Sequence, residues 1–199
     1  MSYSKKFHER RTRQPEKYAT LAAAVLDAFF EASSGLYPAL AVDVGCSAGM
    51  LLKAVGEALG CRLHGIDHAL PAGVRAYEGG YTECDLNTGE PKGHVPMGDL
   101  VICQEVLEHI DPANTMTALQ VVDRAAAPGA VLVFGAGHPG QRGTHHVNCR
   151  PVAEWAALLG ELGWREHAGG TGEYQRALRR GGLGEGCYMD NTRCYIKKD

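Results

Sequence analysis

"VDVGCSAG", Val42 to Gly49, ends the short apolar run "ALAVDVG" (39–45) and opens "AGMLLKAVGEAL" (48–59), which has helical spacing and stops at Gly60. A strand that turns through glycines into a helix brings backbone N–H groups against a ligand at the strand's carboxyl end. Asp43 narrows the ligand. A dinucleotide pyrophosphate at this turn would be repelled by a carboxylate at its mouth. A cationic ligand carrying a sulfonium and an ammonium would be attracted by it. The plainer alternative is that Asp43 only tethers the loop's own amides.

Outward from this turn, strand-like and helix-like segments alternate. "RLHGID" (62–67), "GYTECDL" (80–86), "DLVICQ" (99–104) and "AVLVFGA" (130–136) read as strands, with helices predicted over 15–31, 112–126 and the segment opening at Pro151. Pro151 is expected at the first helical position, with Val152, Trp155, Leu158, Leu159 and Leu162 as the apolar stripe. "WREHAG" and "TRCYIKK" supply the last strands, and the Gly- and Arg-rich "GGTGEYQRALRRGGLGEGC" between them is expected to be a mobile connection. Such alternation predicts a parallel sheet with helices on both faces and ligands beyond the strands' carboxyl ends.

Composition agrees with one folded unit. The chain has 199 residues, 45% hydrophobic and 22% charged, with a formal charge of −3 that argues against a protein whose main business is coating nucleic acid. No apolar run is long enough to cross a bilayer, so no membrane partner is expected. The seven cysteines form no C-x-x-C pair and several lie in apolar runs, which predicts free thiols in a reducing cytoplasm. Residues 1–34 read as a tail and helix, with Lys5, Lys6, Arg10, Arg11 and Arg13 suited either to solvent or to a flap over an anionic substrate; residues 35–199 read as the main domain.

Two further acids fall in line with Asp43. Asp67 ends "LHGID", where a carboxylate can take both ribose hydroxyls or cap the next segment. Asp85 in "ECDLNTG" can accept from an adenine amino group or close an Asx-turn. Together "VDVGCSAG", "GID", "CDL" and "DLVICQEVLEHI" resemble the class I S-adenosylmethionine-dependent methyltransferases over about residues 38–135. The resemblance implies a three-layer Rossmann-like α/β sandwich, mostly parallel and seven-stranded, in the order 3-2-1-4-5-7-6 with the last strand antiparallel. It implies S-adenosyl-L-methionine as cofactor. Asp43, Gly45, Cys46, Ser47 and Gly49 would line the methionine moiety, Asp67 and His68 the ribose, and Asp85 with Leu86 the adenine, with Gln104 near the methyl. Ser47 stands where that family commonly has glycine, and a local adjustment is expected.

On the acceptor side, "QEVLEHI" (104–110) leaves the fourth strand. If it turns helical, Glu105, Glu108 and His109 share one face and can hold a divalent cation, with a later histidine as fourth ligand. Similar E-x-x-E-H segments occur in small-RNA 3′-terminal methyltransferases and, in related form, in the ubiquinone-pathway O-methyltransferases. The alternative is an anchor without metal. "THHVNCRP" (144–151) offers His145 or His146 as general base for a hydroxyl acceptor, with Glu105 beside them. His146 is preferred because "HVN" runs straight to the helix entry; otherwise His146 and Asn148 only satisfy loop and helix-start amides. The expected activity is methyl transfer to a hydroxyl of a small molecule, such as a sugar, polysaccharide precursor or natural product, by a chain that can form a homodimer. Metal-assisted methylation of an RNA 3′ end and a catalytically silent adenosyl-ligand-binding subunit stay open. An NAD-dependent oxidoreductase is disfavoured by Asp43.

Overall fold

The structure is a computed structural model that describes residues 13–71 and 73–198. Four of the tail cations, Lys5, Lys6, Arg10 and Arg11, lie outside the described residues. Strand β1 (Leu40–Val44) is buried along its whole length, as a central strand covered on both faces must be. It pairs in parallel with β2 (Arg62–Asp67) on one side and β5 (Gly98–Gln104) on the other. Asp43 pairs with Gly65 and with Ile102, so the three strands end level, and Asp43, Asp67 and Gln104 come to one rim of the sheet.

The sheet has eight strands in the order β4-β3-β2-β1-β5-β6-β8-β7. Here β3 is Gly80–Asp85, β4 Glu90–Pro91, β6 Ala126–Gly135, β7 Trp164–Glu166 and β8 Arg193–Lys197. Strand β8 runs antiparallel between β6 and β7. Without the two-residue β4 the order is the seven-stranded one expected above. Strand β4 is an edge addition, antiparallel to β3 and reached through a turn in which Asp85 Oδ1 accepts from the Asn87 amide.

Helices cover both faces. On one side α1 (Pro15–Ala32), α2 (Met50–Leu59) and α5 (Ala168–Arg180) share a core that includes Leu21, Val25, Phe29, Leu52, Ile102 and Tyr174. On the other, α3 (Thr115–Arg124) and α4 (Val152–Glu161) pack Leu119, Val122, Trp155 and Leu159 against Val101, Leu132 and Phe134. Each fully buried aliphatic or aromatic side chain of this kind contributes about 1.5–3 kcal/mol. A short helix, α6 (Cys187–Asn191), leads into β8. No helix among the described residues is long and apolar enough to cross a membrane, and all seven cysteines are free thiols.

Four local expectations are corrected. "AGGTGEYQRALRR" is not a mobile connection but the regular helix α5. His167 Nδ1 accepts from the Gly170 amide at its start, and Thr171, Tyr174, Ala177 and Leu178 are buried along one side. Its glycines hid that period, and Gly170 has a packing reason: a Cβ there would stand 3.0 Å from the Ala28 carbonyl oxygen and 2.6 Å from Cys194 Sγ. Pro151 precedes α4 in an extended conformation (φ −56°, ψ 147°) and does not form its first turn. The helix expected over 112–126 opens as a 3₁₀ turn, Pro112–Asn114, where the Asp111 side chain accepts from the Ala113 amide. Strand β6 starts at Ala126, earlier than expected, because the register slips between Gly98 and Leu100 and lets Pro128 and Gly129 bulge.

Candidate active site

The turn after β1 is built around three positive φ values. Gly45 has φ +82° and Gly49 φ +77°; a Cβ on Gly45 would lie 2.3 Å from Val106 Cγ2, and one on Gly49 2.1 Å from Tyr77 Cδ1. Between them Ser47 takes φ +50°, a conformation costing roughly 1–2 kcal/mol for a residue with a Cβ. Its amide is held at 2.6 Å by Asp67 Oδ2, which supplies the local adjustment that serine needs. The Gly45 and Cys46 amides return to the Ile66 carbonyl, so the turn is stitched to the end of β2. Asp43 is only 6% exposed and lines one cleft with Gly45, Cys46, Ser47, Ala48, Gln104, Tyr18 and Tyr188. Burial, then the charges of Asp67 and Asp43, push the Cys46 thiol well up, so it stays neutral.

Asp67 is a tether as well as a candidate ligand. Its Oδ1 accepts from the His68 amide at 2.6 Å, opposite the bond to Ser47. Each carboxylate oxygen keeps lone-pair capacity for a further donor. Tyr81 Oη braces the same corner by donating to the Asp67 and His68 carbonyls. Asp85 forms the Asx-turn weighed above, and Leu86 beside it is buried. Two buried polar atoms at this end of the sheet, His68 Nδ1 and Gln104 Oε1, have no hydrogen-bond partner among the described residues. Such atoms are rare in folded proteins and signal a missing ligand or water. A buried carboxyl group, a glycine turn and two orphaned polar atoms together fit an adenosyl ligand whose amino-acid arm carries an ammonium.

The exit from β5 departs from the helical expectation. Glu105 has φ +55°, and the chain then makes a 3₁₀ turn over Leu107–His109. Glu105 is thereby separated from Glu108 and His109. Its Oε2 accepts from Gln141 Nε2 at 2.6 Å, and its Oε1 from Asn191 Nδ2 at 3.0 Å. Burial, then Glu105, push the neighbouring Cys187 thiol up to about 12.

Glu108 is fully buried, and the Nε2 atoms of His109 and His146 each stand 4.0 Å from its Oε1. The two rings meet edge to face, with centroids 4.9 Å apart. The ligand atoms of Glu108, His109 and His146 lie within 4.8 Å of one another, close enough to share a cation; Glu105 is not among them. The loop after β6 delivers His146. Val147 and Asn148 donate their amides to the Glu108 carbonyl, and the Asn148 side chain, 3% exposed, donates to the Leu107 carbonyl and to Thr115 Oγ1. Asn148 thus joins the loop to the β5 exit and does not cap α4. His145, at φ +60°, is exposed, and its carbonyl accepts from His109 Nδ1 at 3.2 Å. His138 turns back on the Pro139 carbonyl.

Several site residues had no legible motif. Tyr18 and Leu21 come from α1 and Tyr188 from α6, and all three wall the cleft. Gln141 and Asn191 fasten Glu105. The periodicity of α1 marked Leu21 as apolar, but nothing in it placed that face over the turn at 45–49. On the surface of α5, Arg176 pairs with Glu173 and Arg180 with Asp27.

No family model matches the chain. Among curated proteins it is similar to the ubiquinone biosynthesis O-methyltransferase of Actinobacillus pleuropneumoniae serotype 7, at 26% identity over 186 residues, which is 87% of this chain and 74% of that protein. It is 32% identical over 148 residues to the enzyme of the same name from Sodalis glossinidius; the match takes in 68% of this chain but only 52% of the relative. The fold resembles a plantazolicin methyltransferase solved with a triazolic desmethyl analogue and S-adenosylhomocysteine. There the TM-score is 0.68 at 11% identity, over 96% of this chain and 88% of the other.

Proposed function

We propose that this chain, which belongs to the class I S-adenosylmethionine-dependent methyltransferases, transfers the methyl group to a hydroxyl of a small molecule, with His146 as the base. S-adenosylmethionine, its cofactor, supplies a methyl group activated on a sulfonium. The observation that carries the base assignment is the place of His146 Nε2, 4.0 Å from the buried Glu108 carboxylate. With Nε2 turned toward that carboxylate, Nδ1, 3.8 Å from Cys149 Sγ, is the nitrogen that takes the hydroxyl proton. The relatives' shared name supports oxygen as the atom methylated.

The other residues bind and orient. Asp43 faces the α-ammonium of the amino-acid arm inside a buried cleft, and Asp67 takes the ribose hydroxyls while holding Ser47 in place. Tyr18 and Tyr188 exclude water from the same cleft, so helix α1 contributes a wall of the donor site. Glu105 positions the loop carrying Gln141, its two oxygens accepting from Gln141 and Asn191, and His146 is preferred to it as the base. His145 is too exposed for that work and serves His109 through its carbonyl. Alignment of the hydroxyl with the departing sulfur provides most of the acceleration.

A second reading rests on the same cluster. With Nδ1 of His109 donating to the His145 carbonyl, its Nε2 carries a lone pair facing Glu108 and His146. One carboxylate and two imidazoles suit a first-row divalent ion, which would gather acceptor oxygens and acidify the hydroxyl. The two readings separate by experiment. His146→Ala lowers turnover in an acceptor screen with labelled methyl donor and leaves S-adenosylhomocysteine affinity unchanged in both. Only the metal reading also predicts a bound ion by elemental analysis and a chelator-induced loss of thermal stability. Unchanged turnover of His146→Ala refutes both.

A further inference from the structure

Helix α6 ends on Asn191, which is 3% exposed and donates through Nδ2 to two oxygens, Glu105 Oε1 at 3.0 Å and Gln141 Oε1 at 2.7 Å. The partners fix the direction of these bonds. Gln141 Oε1 also accepts from the His138 backbone amide at 3.3 Å, and a backbone N–H can only donate. That puts Gln141 Nε2 on the Glu105 carboxylate, an acceptor, at 2.6 Å. Asn191 therefore meets an acceptor in each partner and presents its amino group to both. Its Oδ1 is left buried with no partner among the described residues. Turning the amide over would set that oxygen against two others, so the clamp keeps its direction although one atom stays unsatisfied.

The clamp reaches the base. Gln141 and His146 share one loop, and Gly143 between them packs on the His146 ring: a Cβ there would stand 2.1 Å from Nε2 and 2.4 Å from Cδ2. A shift of Gln141 is therefore passed through Gly143 to that ring. Without Asn191 the loop keeps its later anchors, the Val147 and Asn148 amides on the Glu108 carbonyl, but its Gln141 end is tied to the β5 exit by Glu105 alone. Cys187, at the head of α6, also hydrogen-bonds Glu105, and Tyr188 of the same helix walls the donor cleft. One five-residue helix thus touches both halves of the site.

We propose that Asn191 is a positioning residue for methyl transfer: from α6 it fastens Glu105 and Gln141, and so keeps the His146 ring facing Glu108, in register with the donor cleft that Tyr188 walls. The inference rests on the assignment of His146 as the base and adds the residue that holds the base's loop from outside that loop.

The test is two-dimensional NMR of the full chain with labelled histidine rings, the His146 signals being identified by their loss in His146→Ala, together with titration of S-adenosylhomocysteine. In Asn191→Ala, and in the surface-loop variant Gln141→Ala should the first not fold, the His146 ring signals shift or broaden. Those of His64, held by Thr82 on β2, stay in place, and S-adenosylhomocysteine affinity changes by less than about threefold. Asn191→Asp has the same shape but turns an acceptor toward two acceptors, and it displaces the His146 signals as far or further. Adding Glu105→Gln gives that carboxylate a donor and brings the signals back toward their wild-type positions. His146 signals unchanged in both Asn191→Ala and Gln141→Ala, or displaced in Asn191→Asp and not moved back by Glu105→Gln, overturn the proposal. Full turnover of His146→Ala refutes the base assignment instead, and the spectra still decide whether Asn191 holds the ring.

Discussion

Asp67→Asn separates a ligand-only carboxylate from one that also builds the site. In the ligand-free protein Asp67 accepts two backbone amide bonds at 2.6 Å, from Ser47 and His68. A hydrogen bond to a charged acceptor contributes about 1.5–3 kcal/mol. Asparagine keeps one oxygen and turns the other into a donor that faces an N–H, so one bond is lost outright. Ser47 then has less to hold it at φ +50°. For a chain of this size 1 kcal/mol is about 2–4 °C, which puts the fall in Tm at roughly 3–12 °C without ligand. The weakened hold on the ribose hydroxyls should also lower S-adenosylhomocysteine affinity by about 10- to 100-fold. Differential scanning calorimetry of the ligand-free variant, followed by titration, measures both. A ligand-free Tm within about 1 °C of wild type refutes the tethering role, whatever happens to affinity.

Other perturbations probe separate parts of the structure. Gly49→Ala places a methyl 2.1 Å from Tyr77 Cδ1 at φ +77° and should cut S-adenosylhomocysteine affinity at least about tenfold by titration. Glu108→Gln should lower kcat by about 10²- to 10⁴-fold with S-adenosylhomocysteine affinity unchanged, compared by steady-state kinetics and titration. Gly170→Leu, directed at the Ala28 carbonyl and Cys194, should destabilise the fold by about 1–3 kcal/mol in urea denaturation; an unchanged midpoint would contradict the close packing of α5 on α1. His64 has its pKa lowered, first by burial and then by His94, while its Nε2 bonds Thr82. The unfolded chain therefore takes up this proton more readily, so the stabilisation is present above about pH 6.5 and is lost as pH falls through the folded value. Replacing His64 with Gln should make the decline of Tm from pH 7 to 5 shallower.

What could be read from the sequence followed the strength of local periodicity. The buried strands, the glycine turn and Asp67 were legible because a parallel strand ending in an acid leaves a short, dense pattern. Helix α5 was not, because Gly169, Gly170 and Gly172 interrupt an amphipathic stripe whose cause, contact with α1, is tertiary. The E-x-x-E-H spacing suggested a shared helical face, but the left-handed turn at Glu105 sends that side chain toward Gln141 and Asn191 instead. Such a turn costs about 1–2 kcal/mol locally, and the residues that hold its side chain lie 36 and 86 positions away, beyond the reach of spacing arguments. Gln104, Tyr174 and Thr192 form a network across three elements, and no short motif could announce it.

The most direct measurement is titration calorimetry of the wild-type protein and Asp43→Asn with S-adenosylhomocysteine and, in parallel, NADH. One S-adenosylhomocysteine should bind per chain, weakened by the loss of the buried negative charge, with no heat from NADH. Saturable binding of NADH that Asp43→Asn strengthens, together with no binding of S-adenosylhomocysteine, would contradict the assignment of this cleft to a cationic methyl donor.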